Sequence, residues 1–184
     1  RHLHNSFGFL CLSHCAANFG VCLTFVAWCA PTTVWQNVAL STSVEGKRVG
    51  QINVLFWNAT VYSHLSISIN RFICITFPLQ AKKFFTRRVI GVFFCVPWVL
   101  ALCHITPYFW VNDCYVYYDS TTWVWTYTDG PCILYIATFF DFYTSLTVFV
   151  LMTTFDLLTA LKLRLMNNVS DLILCLVLKI MLKN

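Results

Sequence analysis

The run Asn70-Arg71-Phe72, followed by Pro78-Leu79, places one guanidinium group where an uncharged segment meets a basic loop. Residues 49–70 contain no Asp, Glu, Lys or Arg, and Pro78 is expected to end the helix one or two turns after Arg71. A lone arginine at this point can extend its side chain to the water interface, so its charge alone is weak evidence for function. The aromatic residue and the Pro-Leu pair at these offsets form a less common combination, which makes this run a candidate functional surface.

A second candidate is Asp141, which is the only charged residue in its apolar segment and lies about two turns from one end of it. Water can reach a carboxylate at that depth. Asp141 is therefore either a ligand contact or a hydrogen-bond partner between helices, and the second reading is slightly favoured. The sequence shows no nucleophile–base pair and no spacing of metal ligands, and its five histidines are scattered. We therefore predict no enzyme activity, no metal and no cofactor.

Polar residues also follow one face of the segment before Arg71, because their mean spacing is 3.6 residues. They are Asn53, Trp57, Thr60, His64, Ser68 and Arg71. Polar residues within a membrane span face the protein interior, so Thr60, His64 and Asn18 are predicted to be polar groups inside the bundle. Asn53 and Trp57, near the other end of the face, are predicted to contact a ligand. Aromatic residues and few charges there weakly favour a small, largely neutral molecule.

The composition indicates that these residues are held by membrane-spanning helices. Hydrophobic residues make up 59% of the chain and charged residues 10%, whereas soluble domains have about 25% charged residues. Four apolar segments are long enough to cross a bilayer as helices, at residues 7–30, 49–77, 89–111 and 133–155. The tail, residues 156–184, is uncertain, because its apolar part is too short and interrupted for a span. We expect an all-α transmembrane helical bundle that forms a single, partial domain over residues 1–184.

The charged loops predict the orientation of the bundle. The loop 71–88 carries five basic residues and no acid, whereas the loop 112–132 carries three aspartates and no base. Excess Lys and Arg mark the cytoplasmic side, so the first loop is predicted inside and the second outside. Lys47 and Arg48 fall outside against this trend. The net charge of +5 is thus a topology signal, and no basic stripe on a soluble face indicates nucleic-acid binding.

The predicted outer loop carries the two cysteines best placed for a disulfide, Cys114 and Cys132, because they flank a loop on the oxidising side. Between them, residues 115–118 are rich in strand formers, Asp119-Ser120 is a turn signal, and residues 123–127 alternate with period two. We predict a β-hairpin with Trp123, Trp125 and Tyr127 on one face. An interfacial aromatic belt and a lid over a ligand pocket explain this face equally well, and the two readings are compatible.

Three blocks of the chain resemble the nematode chemosensory family called serpentine receptor class x, a group of rhodopsin-like seven-helix receptors. The blocks are residues 5–8 with 12–18, residues 70–72 with 78–79 and 82–85, and residues 114–119 with 123–125, 131–132 and 141–143. The third block is the most specific, because its cysteine and tryptophan spacing is unusual. Together the blocks cover roughly residues 5–167.

The resemblance implies seven helices, a small-molecule ligand and coupling to a heterotrimeric G protein. It also implies a multi-pass protein of the plasma membrane, in chemosensory cilia. By it, Asn70, Arg71 and Phe72 would engage the G protein, and Pro78 and Leu79 would help to form the docking loop. Such receptors usually carry an acid where Asn70 stands. The four spans would correspond to helices two to five, so we expect the chain to be a receptor fragment.

Two other functions are compatible with parts of the sequence. A transporter or channel segment would need intramembrane ionisable groups, and only Asp141 could serve as one. A non-signalling, truncated product of a receptor gene would have the same spans without the helices that open on activation. A chemosensory receptor that contacts lipid, a small ligand and a G protein remains the leading prediction.

Overall fold

The computed structural model describes residues 2–36, 38–110, 114–128, 130 and 134–181. Its helices are α1 (His2–Thr24), α2 (Ala30–Trp35), α3 (Val38–Ser41), α4 (Val44–Thr76), α5 (Pro78–Phe84), α6 (Arg87–Ile105), α7 (Pro107–Trp110) and α8 (Thr144–Met181). A π-helical turn, Phe25–Cys29, joins α1 to α2, and a second π-helical segment, Leu134–Tyr143, leads into α8. Strands β1 (Val116–Asp119) and β2 (Val124–Tyr127) form an antiparallel hairpin.

Helix α4 is the central element, because α1, α6 and α8 all pack against it. Fully buried alanines, Ala17 on α1, Ala59 on α4 and Ala101 on α6, lie in the core where these helices meet. Small side chains let helix backbones approach closely, which is how helices associate where the hydrophobic effect is weak. Tyr62 of α4 and Val148 of α8 complete this core. The sequence prediction of a helical bundle is confirmed.

Local signals in the sequence set the ends of these helices. The side chains of Ser43 and Thr86 accept hydrogen bonds from the backbone N–H groups of Gly46 and Val89, so they cap α4 and α6. Pro78 begins α5, as its fixed φ angle favours the first helical position. As a result α4 ends at Thr76, and the short basic helix α5 follows at that end of the bundle.

Three helical segments in the described part of the chain are long and apolar enough to cross a membrane: Phe7–Trp35, Arg87–Ile105 and Leu134–Asn168. The fourth predicted span corresponds to α4, which has 33 residues but is less apolar than the other three. Its buried polar side chains include Gln51, Asn53, Ser63 and Asn70. A helix that is surrounded by other helices can carry such residues, because they face protein and not lipid.

The bounds of the spans differ from the prediction at several points. The first helical segment continues to Trp35 instead of ending at residue 30, and α6 ends at Ile105 instead of reaching residue 111. The tail is not a separate interrupted piece, since α8 runs without a break from Thr144 to Met181. Residues 134–184 contain neither proline nor glycine, so nothing in the backbone ends the helix where its apolar character weakens.

The hairpin prediction is confirmed, with Val116 paired to Tyr127 and Asp119 paired to Val124. The hairpin packs directly on α4 at the end opposite Arg71. A Cβ atom added to Gly50 would lie 1.9 Å from the carbonyl oxygen of Val116. Only glycine therefore permits this approach of β1 to α4, and the contact fixes where the hairpin sits.

Candidate functional site

A buried cluster around Asp141 joins the hairpin to four helical elements. Asp141 lies on the π-helical segment Leu134–Tyr143, and its Oδ1 atom is 2.5 Å from Nε2 of His104 on α6. The hydroxyl groups of Tyr108 on α7 and Tyr127 on β2 both donate to Oδ2. The hydroxyl of Tyr62 on α4 lies 3.2 Å from Nδ1 of His104. Three side chains thus contact the carboxylate of Asp141, and Tyr62 joins them through His104. We call these five residues from five elements the Asp141 cluster.

The Asp141 cluster fills nearly all the hydrogen-bonding capacity of its carboxylate. An ionised carboxylate has about four acceptor positions, and His104, Tyr108 and Tyr127 occupy three of them. Buried charges are tolerated only when they are paired or hydrogen-bonded, and His104 is 3% exposed. The cluster therefore holds the hairpin, α6 and α4 in one arrangement. Of the two readings of Asp141, the structure shows the hydrogen-bond partner directly.

Asp141 also lines a cavity of about 360 Å³ beside the hairpin. This volume lies near the lower end of the roughly 300–1,000 Å³ typical of small-molecule sites. The lining residues, which come from α4, β2 and the last span, are Val54, Trp57, Asn58, Tyr127, Ala137, Asp141, Phe142 and Ser145. We call this space the Asp141 cavity. Two predicted ligand contacts, Trp57 and Asp141, lie on its wall.

The hairpin contributes Tyr127 to the cavity wall and packs its neighbours against the bundle. Trp125 lies edge-on to Phe25 and to Tyr118, with ring centroids 6.3 Å and 5.5 Å apart. Burial, followed by the negative charge of Asp141, raises the pKa of Tyr127 above its usual value. The hydroxyl of Tyr127 therefore stays protonated and donates to Asp141.

Trp123 does not share the face of Trp125 and Tyr127, so that part of the hairpin prediction is wrong. It lies in the turn before β2 with a φ angle of 61°, and its side chain is 71% exposed. The turn is held instead by Asp119, which accepts hydrogen bonds from the hydroxyl groups of Thr121 and Thr122. These bonds hold the pKa of Asp119 below its usual value. The positive φ angle at residue 123 interrupts the strand alternation on which the prediction depended.

Asn53 is placed at the seam between α1 and α4 and not on the wall of the Asp141 cavity. Its Oδ1 atom accepts a hydrogen bond of 2.8 Å from the hydroxyl of Thr24, and the side chain is 8% exposed. The structure thus brings only part of the predicted ligand set together. Asn53 joins two helices at the hairpin end of the bundle.

The polar residues predicted inside the bundle lie along the same seam. Nδ1 of His14 is 3.2 Å from the backbone oxygen of Thr60, and the His14 and His64 rings meet edge-on at 5.3 Å. The amide of Asn18 donates to the backbone oxygen of His14 within α1. This half of the polar face therefore connects two helices.

At the other end of α4, which we call the Arg71 end, the predicted coupling residues are mostly exposed. The guanidinium carbon of Arg71 lies 5.3 Å from the ring centroid of Phe7 on α1, a cation–π distance. Phe72 packs on Phe155 of α8 with centroids 5.5 Å apart. Pro78 is exposed and Leu79 is 81% exposed.

Asn70 differs from its exposed neighbours, since it is 2% exposed. Its side-chain oxygen accepts a weak hydrogen bond from the thiol of Cys74, one turn further along α4. Asn70 is thus buried inside the bundle, directly before the exposed Arg71. Arg71, Pro78 and Leu79 form the accessible surface of the Arg71 end.

For the predicted disulfide, the structure describes one of the two cysteines. Cys114 is disulfide-bonded, and its predicted partner, Cys132, lies outside the described residues. The other described cysteines for which a state is assigned are free, and they are Cys11, Cys15, Cys22, Cys29, Cys74, Cys95 and Cys103. In the described part of the chain, no group of three His, Cys, Asp or Glu side chains could hold a metal ion.

Sequence reasoning missed His104, Tyr62 and Tyr108 as members of a functional cluster. A signal for His104 was available, because it is the only imidazole in its uncharged apolar span, residues 89–111, and such residues usually have a partner. The two tyrosines carry no such signal. An aromatic residue within a span is ordinary, and only the fold brings their hydroxyl groups to Asp141.

Comparisons with known proteins identify the family that this chain resembles. Residues 1–172 match the family model described as "Serpentine type 7TM GPCR chemoreceptor Srx". The chain is also 27% identical over 154 residues to Serpentine receptor class X 45 of Caenorhabditis elegans. That alignment covers 79% of this chain and 40% of the relative, so the chain spans less than half the length of the curated relative it matches.

Proposed function

The chain belongs to the Srx family of serpentine seven-transmembrane chemoreceptors, and from this premise we propose that it senses a small molecule and activates a heterotrimeric G protein. The family makes it a multi-pass membrane protein with a chemosensory role. Ligand binding and G-protein binding occur at opposite sides of the bundle. The ligand binds in the Asp141 cavity, and the G protein binds at the Arg71 end.

The observation that carries this proposal is the hydrogen-bonded chain from the cavity wall to α4. Tyr127 and Asp141 face the cavity, and Asp141 is linked through His104 to Tyr62. Tyr62 and Arg71 lie on the same uninterrupted helix. A ligand that changes the position of Asp141 can therefore bias the position of the Arg71 end, provided that it binds one arrangement better than the other.

The Arg71 end has the properties of a protein-binding surface. Arg71 supplies up to five hydrogen-bond donors, and Leu79 presents an exposed apolar side chain next to Lys82 and Lys83 of α5. The Arg71 end is proposed to face the cytoplasm, because the loop 71–88 is basic. The proposed location is the plasma membrane, with chemosensory cilia as the proposed compartment, because the family is one of chemoreceptors.

The test is G-protein activation by a receptor that contains this chain, measured as nucleotide exchange in membranes exposed to a panel of odorants. We expect Arg71→Ala to abolish exchange while ligand binding and surface expression are retained, because the cavity lies at the opposite end of α4. Arg88→Ala is the matched control, as it removes an exposed arginine from α6 at the same end. Wild-type exchange by Arg71→Ala would refute the assigned coupling role.

A further inference from the structure

The Asp141 cavity has one charged lining residue, and that residue is negative. Among the described residues that line it, none is Lys, Arg or His. Every described partner of the Asp141 carboxylate can be electrically neutral. Tyr108 and Tyr127 donate hydroxyl groups, and a neutral His104 ring satisfies both of its contacts by donating from Nε2 and accepting from Tyr62 at Nδ1.

The Asp141 cluster therefore carries one net negative charge when His104 is neutral. A charge in a medium of low dielectric constant is costly unless a counter-charge lies close to it. The hydrogen bonds fill about three of the four acceptor positions of the carboxylate, and its side chain remains 16% exposed. With His104 neutral, one acceptor position of the carboxylate and its negative charge thus remain available to a molecule in the cavity.

The remaining cavity wall suits the body of an organic cation. Trp57, Tyr127 and Phe142 present aromatic rings, and aromatic faces attract cations through their quadrupoles. The amide nitrogen of Asn58 donates one N–H to the backbone oxygen of Val54, and its carbonyl oxygen is an acceptor that a ligand can use. Together with the hydroxyl of Ser145, it can accept hydrogen bonds from an ammonium group.

We infer that the Asp141 cavity binds a small organic monocation, such as a protonated amine on an aromatic or aliphatic body. This rests on the proposed function in that the cavity is taken as the sensory site. It revises the expectation of a largely neutral ligand, which followed from the few charges in the sequence. What matters is that the single charge at this site lies on the cavity wall without a basic neighbour among the lining residues.

The inference is tested with the chain in lipid nanodiscs and two sets of matched probes that differ at one group. The first set is phenethylamine, 2-phenylethanol and phenylacetate, and the second is tryptamine, tryptophol and indole-3-acetate. We expect titration calorimetry to give the amine in each set a dissociation constant roughly tenfold or more below that of the alcohol or the acid. Equal constants, a preference for the acid or alcohol, or no binding by either amine would overturn the inference.

Two variants locate the preference in the cavity. Asp141→Asn keeps the size of the side chain but removes its charge, and it should remove the preference for the amines. Trp57→Leu should weaken amine binding about two- to fivefold by removing a cation–π contact. Trp57 is 55% exposed, so this variant is informative even where Asp141→Asn does not fold. Trp35→Leu, at a tryptophan that is 69% exposed outside the cavity, is the control and should leave the constants unchanged.

Failure of the cation site can be distinguished from failure of the proposed receptor function. An amine that binds wild-type chain and not Asp141→Asn, yet promotes no nucleotide exchange on a G protein, supports the cation site and counts against the receptor mechanism. If alcohols or acids drive nucleotide exchange and no amine binds in the cavity, the result supports the receptor mechanism and counts against the cation site. Amine binding that Asp141→Asn and Trp57→Leu both leave unchanged would also overturn the assigned site.

Discussion

The two ends of α4 are held in different ways. On the hairpin side, Tyr62, near the middle of α4, is linked through His104 to a carboxylate that also accepts from Tyr108 and Tyr127. At the other end, Arg71 is exposed and lies over one aromatic ring, 5.3 Å from its centroid. The first end combines buried polar groups that are mutually satisfied, and the second combines exposed groups with few fixed contacts.

This difference has a physical consequence for signalling. A buried hydrogen-bonded network of this kind strongly favours one arrangement, because a displacement leaves polar groups without partners. An exposed cation–π contact contributes only about 0.5–1 kcal/mol, so Arg71 can leave Phe7 at little cost. We therefore expect the hairpin end to determine stability and ligand selectivity, and the Arg71 end to determine coupling. Three substitutions test this division.

His104→Leu should have the largest effect on stability. It deprives Asp141 of one donor and leaves the Tyr62 hydroxyl without its acceptor, which should cost about 3 kcal/mol. Thermal unfolding in nanodiscs measures the effect. Cys103→Leu is the matched control, because Cys103 is an exposed neighbour on the same helix. Equal unfolding temperatures for the two variants would show that the Asp141 cluster does not hold the hairpin end together.

Gly50→Ala should have the next largest effect, because its Cβ atom would overlap the carbonyl oxygen of Val116. The hairpin must move, and overpacking of this kind costs about 1–3 kcal/mol. Protease sensitivity of the hairpin and the unfolding temperature measure the change. Gly91→Ala is the control, since no atom lies within 4 Å of a Cβ there. A Gly50→Ala variant as stable and protease-resistant as Gly91→Ala would contradict the close contact.

Leu79→Ala should change the unfolding temperature least, because the side chain is 81% exposed. Nucleotide exchange on the G protein should nevertheless fall severalfold if Leu79 contributes to docking. Leu23→Ala, at an exposed leucine near the hairpin end of α1, should leave both quantities unchanged. Normal exchange by Leu79→Ala would remove this residue from the coupling surface, and a large loss of stability would contradict the contrast between the two ends.

Much of the architecture is predictable from local sequence. Apolar length predicts the helical bundle, and the turn signal with alternating residues predicts the hairpin between Cys114 and Tyr127. The helix bounds are less accurate, because a span ends where the backbone is interrupted and not where its apolar character weakens. The absence of proline and glycine after residue 133 carries α8 to Met181.

The site is predictable only in part. Asp141 and Trp57 stand out in the sequence as a lone charge and an aromatic residue on a polar helix face, and both line the cavity. Asn53 is on the same predicted face as Trp57, yet it points to Thr24 on α1. A helix face spans a wide angle, and the sequence does not say which neighbouring helix covers each part of it.

The sequence by itself determined the class of the protein, its candidate membrane spans and the resemblance to its family, because composition, apolar length and motif spacing are local properties of the chain. Tertiary structure decided which side chains meet at Asp141. Tyr62, His104, Tyr108 and Tyr127 are separated from one another by up to 65 positions in the chain, and their hydroxyl and imidazole groups converge only when α4, α6, α7 and β2 pack together. A hydrogen bond requires partners within about 3 Å, and that distance is a property of the fold.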